Sequence, residues 1–509
     1  MLQLINLTKA LTLLLSIQFA ASAPLCLSNI LEVGTTSGTL RGIINGTTPD
    51  VRQFLGVPFA QAPLGDLRWM PPVALPSESS SRYIDASKFS MSCSQYESTI
   101  PSVYNKFVRE FFIQGPSSED CLTLSIWAPA RGSHKLLPVF IYIYGGGLQT
   151  GGSSVPYQDP AQWIQRTQSH IVVSIQYRLN IFGFPNAKGL DSQNLGYLDQ
   201  RAAIEWLQVN IAAFGGDPYK MVLWGQSAGA LSTDVQNFAF PHDPIVSGFI
   251  CDSAAAESPV NSDDFSQSNF TFVAEHFNCS GDSMLPCMRN ISSTDIIAFL
   301  ASYQDSEVSP ALSFVAIPDE VVVFSNYTQR MIDGQFSTAP AIFGSNENDG
   351  VSLVSLPADP YTMGPNMTAA EDTLLDIIFC PDMTTADHRT KAGRTTFRYQ
   401  YQGNFTNISP LFWMGAYHSS ELPMIFGTSG DFRGPATEFE KATSRKMQDL
   451  WLAFANDPLH GVEKLNWPNV TSGYVNAFGG ADETARLISA ATLDAPCLKR
   501  MMPPNARSP

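Results

Sequence analysis

The chain has 509 residues, with 46 acidic side chains against 30 basic ones and no Lys/Arg cluster. That length can bury a large core, and sparse charge with ordinary aromatic content describes a folded body, not a disordered or fibrous chain. No basic surface is on offer to displace counterions from phosphates, so no nucleic-acid partner is expected. The acidic balance reads instead as a solubility feature of an extracellular protein.

In chain order, Lys9 precedes a short apolar run, Ala10 to Ala20, which closes on the small residues Ala21-Ser22-Ala23. A basic edge, an apolar run too short to cross a bilayer and an A-x-A site predict a signal peptide over residues 1–23 and a secreted mature chain. Nine N-x-S/T sequons agree with that route, beginning at Asn45, Asn269, Asn278, Asn290, Asn326, Asn366, Asn404, Asn407 and Asn469. In an oxidising compartment the eight cysteines read as disulfide partners. No CxxC or HxxxH spacing points to zinc, and no metal or cofactor is expected.

Downstream, strands are predicted at Val51–Ala60, Leu122–Ala128, Leu137–Tyr144, Ile171–Arg178, Met221–Trp224, Gly248–Cys251, Ala339–Phe343 and Thr396–Gln402. Several are continuous apolar runs, as strands covered on both faces require. Arg201 to Leu207 reads as a helix with a firm stop at Gly215-Gly216-Asp217-Pro218. Strands alternating with helices imply an α/β fold around a large, mostly parallel sheet. No repeat or Pro/Gly/Ser linker divides the chain, so residues 24–509 are expected to form one domain.

Gly225-Gln226-Ser227-Ala228-Gly229 follows the strand Met221–Trp224 and leads into a helical stretch. In that setting G-x-S-x-G is a sharp turn that lifts a serine oxygen into a cleft, with glycines allowing strand and helix to approach closely. The same pattern also arises by chance in ordinary turns. Gly145-Gly146-Gly147 follows the strand Leu137–Tyr144; alone it reads as a flexible turn. Beside a nucleophilic serine, its backbone can stabilise the oxyanion formed when an ester carbonyl is attacked, a donor being worth roughly 3 kcal/mol. Gly146, Gly147 and Ala228 are the expected donors.

These stretches bring the chain close to a known family. Phe214 through Gly229, Glu119 through Pro129, Tyr144 through Gly147, Pro63 through Pro72, Asn194 through Arg201 and Gly415 through Glu421 together resemble the type-B carboxylesterases and lipases, which include the cholinesterases and secreted fungal members. The resemblance implies an α/β-hydrolase fold with a small N-terminal β-region and a triad in the chain order Ser, acid, His. It further implies bridges Cys93–Cys121, Cys279–Cys287 and Cys380–Cys497, leaving Cys26 and Cys251 unassigned. Cys251, in a core strand, reads as a buried thiol.

Chain order leaves His388, His418 and His460 as candidate bases, and the residues around His418 match the family's histidine motif. His388 reads as helix surface, and His460 follows the turn signal Asp457-Pro458. For the acid, the strand ending at Phe343 runs into Gly344-Ser-Asn-Glu-Asn-Asp-Gly350, where the family usually carries Glu before the closing glycine; here Asp349 stands there. Glu347 is the alternative acid and Asp252 a remoter one, while Asp349 also fits a plain turn closure. The expected catalysis is ester hydrolysis through an acyl-enzyme on Ser227.

Gln226 stands where cholinesterases carry glutamate, and the 93–121 loop contains no tryptophan to stack on a quaternary ammonium, which argues against choline esters. In that loop Ile100, Val103, Phe107 and Phe111 recur every three or four residues among polar ones. They make either a lid that opens at a lipid surface or a helix packed permanently on the core. The substrate is thus a small-molecule or lipid ester. Three functions remain distinct: a carboxylesterase, an interfacially activated triacylglycerol lipase, and a non-catalytic adhesion relative.

Overall fold

The computed structural model describes residues 30–76, 79, 81–131 and 135–501; the expected leader and Cys26 lie outside the described residues. Among the described residues an eleven-stranded sheet organises the chain. Its strands, numbered along the sequence, are β1 (Ile43–Ile44), β2 (Val51–Pro58), β3 (Thr123–Pro129), β4 (Leu137–Ile143), β5 (Ile171–Ile175) and β6 (Gly216–Gln226). They continue with β7 (Gly248–Asp252), β8 (Ala341–Asn346), β9 (Thr396–Tyr401), β10 (Tyr474–Phe478) and β11 (Ala485–Ser489). The spatial order is 11-10-9-8-7-6-4-5-3-2-1. All neighbours from β5 through β10 are parallel, and both flanks are antiparallel. A small N-terminal sheet joins Glu32–Thr35, Gly38–Arg41 and Tyr83–Asp85.

The continuous apolar runs are strands buried on both faces: every residue of β3, β5, β7 and β8 is buried. Helices Leu195–Asn210, Ala228–Ala239 and Glu438–Asn456 are among those that cover the sheet. Aromatic rings fill the gap on one side, with Trp224 lying 4.7 Å from Tyr142 and 4.9 Å from Phe426 between centroids.

Two buried ion pairs fasten the family-like motifs into the fold. Arg68 binds Glu119 through two hydrogen bonds of 2.6 and 2.5 Å, and Arg178 grips Asp199 through 2.8 and 2.7 Å contacts. Each pair is almost wholly shielded from solvent, so loss of one partner would strand a charge in the interior. Disulfides join Cys93 to Cys121, Cys279 to Cys287 and Cys380 to Cys497, and Cys251 is a buried free thiol.

Strand β6 begins at Gly216, not Met221, because Asp217-Pro218 sits inside it at a register irregularity against β4. The stop at Gly215 ends a 3-10 turn over Ile211–Phe214, where Gly215 takes φ 93°. The edge strands β1 and β11, and β10 beside the latter, carry no distinct apolar run.

Candidate active site

Strands β4 and β6 are parallel neighbours, but β4 connects onward to β5 on its other side. The chain parts at that point, and loops leaving the carboxyl ends of such strands diverge to leave a crevice. Gly145–Gly147 leave β4 there, and Ser227 leaves β6.

Ser227 has φ 58° and ψ −126°, a conformation costing about 1–3 kcal/mol for a residue with a side chain. The turn is held by its N–H donating to the Asp252 carbonyl at 2.7 Å and by close packing of strand on helix. A Cβ on Gly225 would lie 2.1 Å from the Gly229 carbonyl oxygen, and one on Gly229 would lie 2.0 Å from that of Ile143. Both positions admit only glycine.

Ala228 opens the helix Ala228–Ala239, so its N–H belongs to the first turn, which has no intrahelical acceptor. No backbone carbonyl among the described residues accepts from the Gly146 or Gly147 amide outside regular elements. Gly146 has φ 105°, and a Cβ there would meet the Thr150 carbonyl oxygen at 2.3 Å. Gly147, Ala228, Ser227 and His418 line one cavity of about 110 Å³, whose other walls are mostly aliphatic, including Leu231, Val260 and Val315. A larger open groove of about 800 Å³ beside Trp69, Lys188 and Arg289 contains none of these residues.

His418 follows β9 in a loop that pairs with the loop after β8: the Asn348 N–H donates to the Ala416 carbonyl at 3.0 Å, and Asn348 bridges Tyr417. That pairing brings Asp349 Oδ1 to 2.8 Å from His418 Nδ1. A carboxylate only accepts, so the Nδ1 atom carries a proton, which in the neutral ring leaves the lone pair on Nε2. The other Asp349 oxygen accepts from the Asn346 N–H at 2.7 Å and the Ser253 hydroxyl at 3.1 Å. Gln226 Nε2 lies 3.3 Å from His418 Nε2. The Tyr104 hydroxyl donates to the His418 carbonyl at 2.8 Å, and burial raises its pKa, so it stays protonated.

The other candidates lie elsewhere. Glu347 is exposed, and its carboxylate accepts from Gln402 Nε2 at 3.4 Å. Asp252 is held by Trp224 Nε1 at 2.5 Å and the Tyr399 hydroxyl at 2.8 Å, and burial pushes its pKa up to about 7. His388 is half-buried on the helix Cys380–Lys391, and His460 is exposed beside Glu463. Sequence reasoning missed Ser253 and Tyr104 altogether, and took Gln226 only as a mark of substrate preference. Each meets its partner across many residues of chain, with no local signal.

The 93–121 segment forms a single helical turn, Val103–Lys106, then a 3-10 turn, Arg109–Phe111. Val103 is buried, and Phe107 and Phe111 pack against the main core. Phe111 sits among Tyr104, Tyr157 and Tyr417, while Arg433 binds the Glu110 carboxylate at 2.6 Å. Three of the four apolar positions are therefore spent on packing, while Ile100 is exposed.

Residues 29–375 and 365–486 match the carboxylesterase family. A chlorogenic acid esterase of Aspergillus niger is 44% identical over 453 residues, 88% of this chain and 86% of that protein. Secreted lipase 5 of Gibberella zeae is 40% identical over 481 residues, covering 87% and 88% of the two chains. A mouse cholinesterase is 27% identical over 87% of this chain and 80% of its own length. With the family matched over most of its length and two fungal relatives above 30% identity, this chain belongs to the carboxylesterase family and is a carboxylic ester hydrolase.

Proposed function

We propose that the protein is a secreted esterase working through a Ser227-His418-Asp349 triad and an acyl-enzyme. His418 Nε2 takes the Ser227 proton as Oγ bonds to the ester carbonyl carbon. The carbonyl oxygen becomes negative and is met by the amides of Gly146, Gly147 and Ala228. The carbon–oxygen bond to the alcohol then breaks, and the proton on Nε2 passes to the leaving oxygen. Water, deprotonated by the same nitrogen, releases the acid and restores Ser227. Asp349 keeps the Nδ1 proton in place and stabilises the imidazolium. The observation carrying this reading is that Ser227 and His418 face one cavity while Asp349 holds the far nitrogen of His418.

Secretion is supported by the residue 1–23 pattern and by a relative named as a secreted lipase. Among the described residues no helix is long and apolar enough to cross a membrane. The chlorogenic acid esterase relative makes esters of aromatic acids the first substrates to assay. A second reading, a lipase acting at a lipid surface, is favoured by exposed Leu353, Tyr361 and Met363, the first of which also lines the cavity. Chlorogenate and tributyrin, assayed across the tributyrin solubility limit, separate the two: a jump in rate beyond that limit selects the lipase. Ser227→Ala should lose turnover by about a millionfold; comparable turnover would refute the triad.

A further inference from the structure

We propose that one wall of the cavity, a π-helical turn at Leu374–Phe379, sets the length of acyl chain the enzyme accepts, through Ile377 and Ile378. This rests on Ser227 being the nucleophile.

The two steps of the reaction treat the halves of the ester differently. The alcohol leaves after the first step, whereas the acyl arm stays bonded to Ser227 Oγ until water arrives. The arm that stays needs a walled space beside Ser227, and the arm that leaves needs a way out. The cavity around Ser227 therefore takes the acyl arm. Its volume of about 110 Å³ lies well below the roughly 300–1,000 Å³ of sites for drug-sized ligands, so its walls set chain length.

Most of those walls come from the serine turn, its helix and loops that leave the sheet strands. The π turn does not. It interrupts the helical run between Met367–Thr373 and Cys380–Lys391. A π turn inserts an extra residue into the coil, and such insertions concentrate at functional sites. Here it lets the segment face two ways. Leu375 and Phe379 pack with Met383 and Cys497 in a small cluster separate from the main core. Ile377 and Ile378 line the cavity with Ser227.

The outer face is fastened down. Cys380 is bonded to Cys497 of the helix Ala495–Met501, whose Arg500 pairs with Asp372 and Asp376, both at 2.5 Å. On the inner side, a Cβ on Gly350 would lie 1.8 Å from the Ala370 carbonyl oxygen, so the acid loop packs directly on the preceding helix. A wall braced from both sides cannot yield to a long acyl arm at low cost, and chain length becomes a steric limit.

The test uses the full-length protein with 4-nitrophenyl acetate and octanoate, and in parallel with ethyl and octyl acetate. Ile377 is only half-buried, so both Ile377→Ala and Ile377→Phe should fold. The octanoate-to-acetate ratio of kcat/KM should rise about tenfold in Ile377→Ala and fall in Ile377→Phe, in line with the roughly 10–200-fold that one methylene carries in an apolar pocket. Ile378→Val should move it in the same direction as Ile377→Ala by a smaller factor. An unmoved ratio in both Ile377 variants overturns the proposal, as does a shift confined to the alkyl acetates. Ser227→Ala, run alongside, separates the two layers: if it retains turnover, the nucleophile is wrong whatever the ratios show.

Discussion

The Ser253 hydroxyl donates to Oδ2 of Asp349 at 3.1 Å, while Oδ1 of the same carboxylate holds His418 at 2.8 Å. Both residues are buried, and Ser253 takes φ 62°, outside the range comfortable for a residue with a side chain. A strained serine at the end of β7 thus reaches the shorter acid that stands where the family usually has glutamate. Hydrogen bonds to a charged group contribute about 1.5–3 kcal/mol. Ser253→Ala should therefore lower kcat/KM for a nitrophenyl ester by about tenfold or more with the fold intact by circular dichroism. Full activity in that variant would mean that Asn346 suffices to hold the acid.

The two carboxylates of the acid loop should respond very differently. Asp349→Asn removes the group that selects the histidine tautomer, and in other triads that costs about 10⁴ in kcat. Glu347→Gln alters an exposed side chain bonded to Gln402, and activity should stay within a few-fold. Parallel kinetics on the two variants decide the assignment. The larger loss falling on Glu347 would reverse it.

Stability should fall as pH rises toward neutrality, in part because of Asp252. Burial lifts its pKa from the usual 3.8 to about 7, so the folded state holds the proton more tightly than the unfolded chain. Such a group contributes its full stabilisation below about pH 4 and loses it as pH climbs toward 7. Asp349 adds negative charge nearby, and burial raises Glu421 in the same direction. Asp252→Asn keeps a polar group between Trp224 and Tyr399 but cannot ionise. Urea midpoints at pH 4.5 and 7.5 should differ less in this variant than in the parent protein; an equal difference would exclude Asp252 as a source.

Gly229→Ala tests the serine turn as a packing problem. The added methyl would lie 2.0 Å from the Ile143 carbonyl oxygen, which is backbone and can move only with β4. Overpacking of this kind costs about 1–3 kcal/mol, and here it should reach the upper end. The midpoint of thermal unfolding should drop and ester turnover should fall with it. An unchanged midpoint would show that strand and helix can separate freely.

Glycan occupancy should split two sequons in one loop. Asn404 is exposed, whereas Asn407 is buried and its Nδ2, the atom that would bear sugar, donates to the Ser429 carbonyl at 2.7 Å and to Glu440 at 3.0 Å. In protein secreted from a eukaryotic host, peptide mapping by mass spectrometry should find glycan at Asn404 and none at Asn407. Sugar on Asn407 in folded protein would contradict the packing of that loop.

Much of this molecule is written locally. Largely apolar runs mark the strands at Leu137, Ile171, Gly248 and Ala341, because a strand covered on both faces leaves few positions for polar side chains. The glycines around Ser227 mark the turn, because backbone contact excludes every larger residue. Strands β1, β10 and β11 escaped: β1 has 2 residues, and β10 and β11 interleave polar side chains with apolar ones. Only the tertiary structure sets Asp349, and not Glu347, against His418: the two lie two residues apart on one loop, and the direction each side chain takes depends on how that loop pairs with the one carrying His418. The same holds for Ser253 and the π turn, which reach the site across long stretches of chain, and for the contact of Gln226 with His418. Local sequence carries the conformational preferences of neighbouring residues. Contacts between distant segments are decided by the packing of the whole sheet.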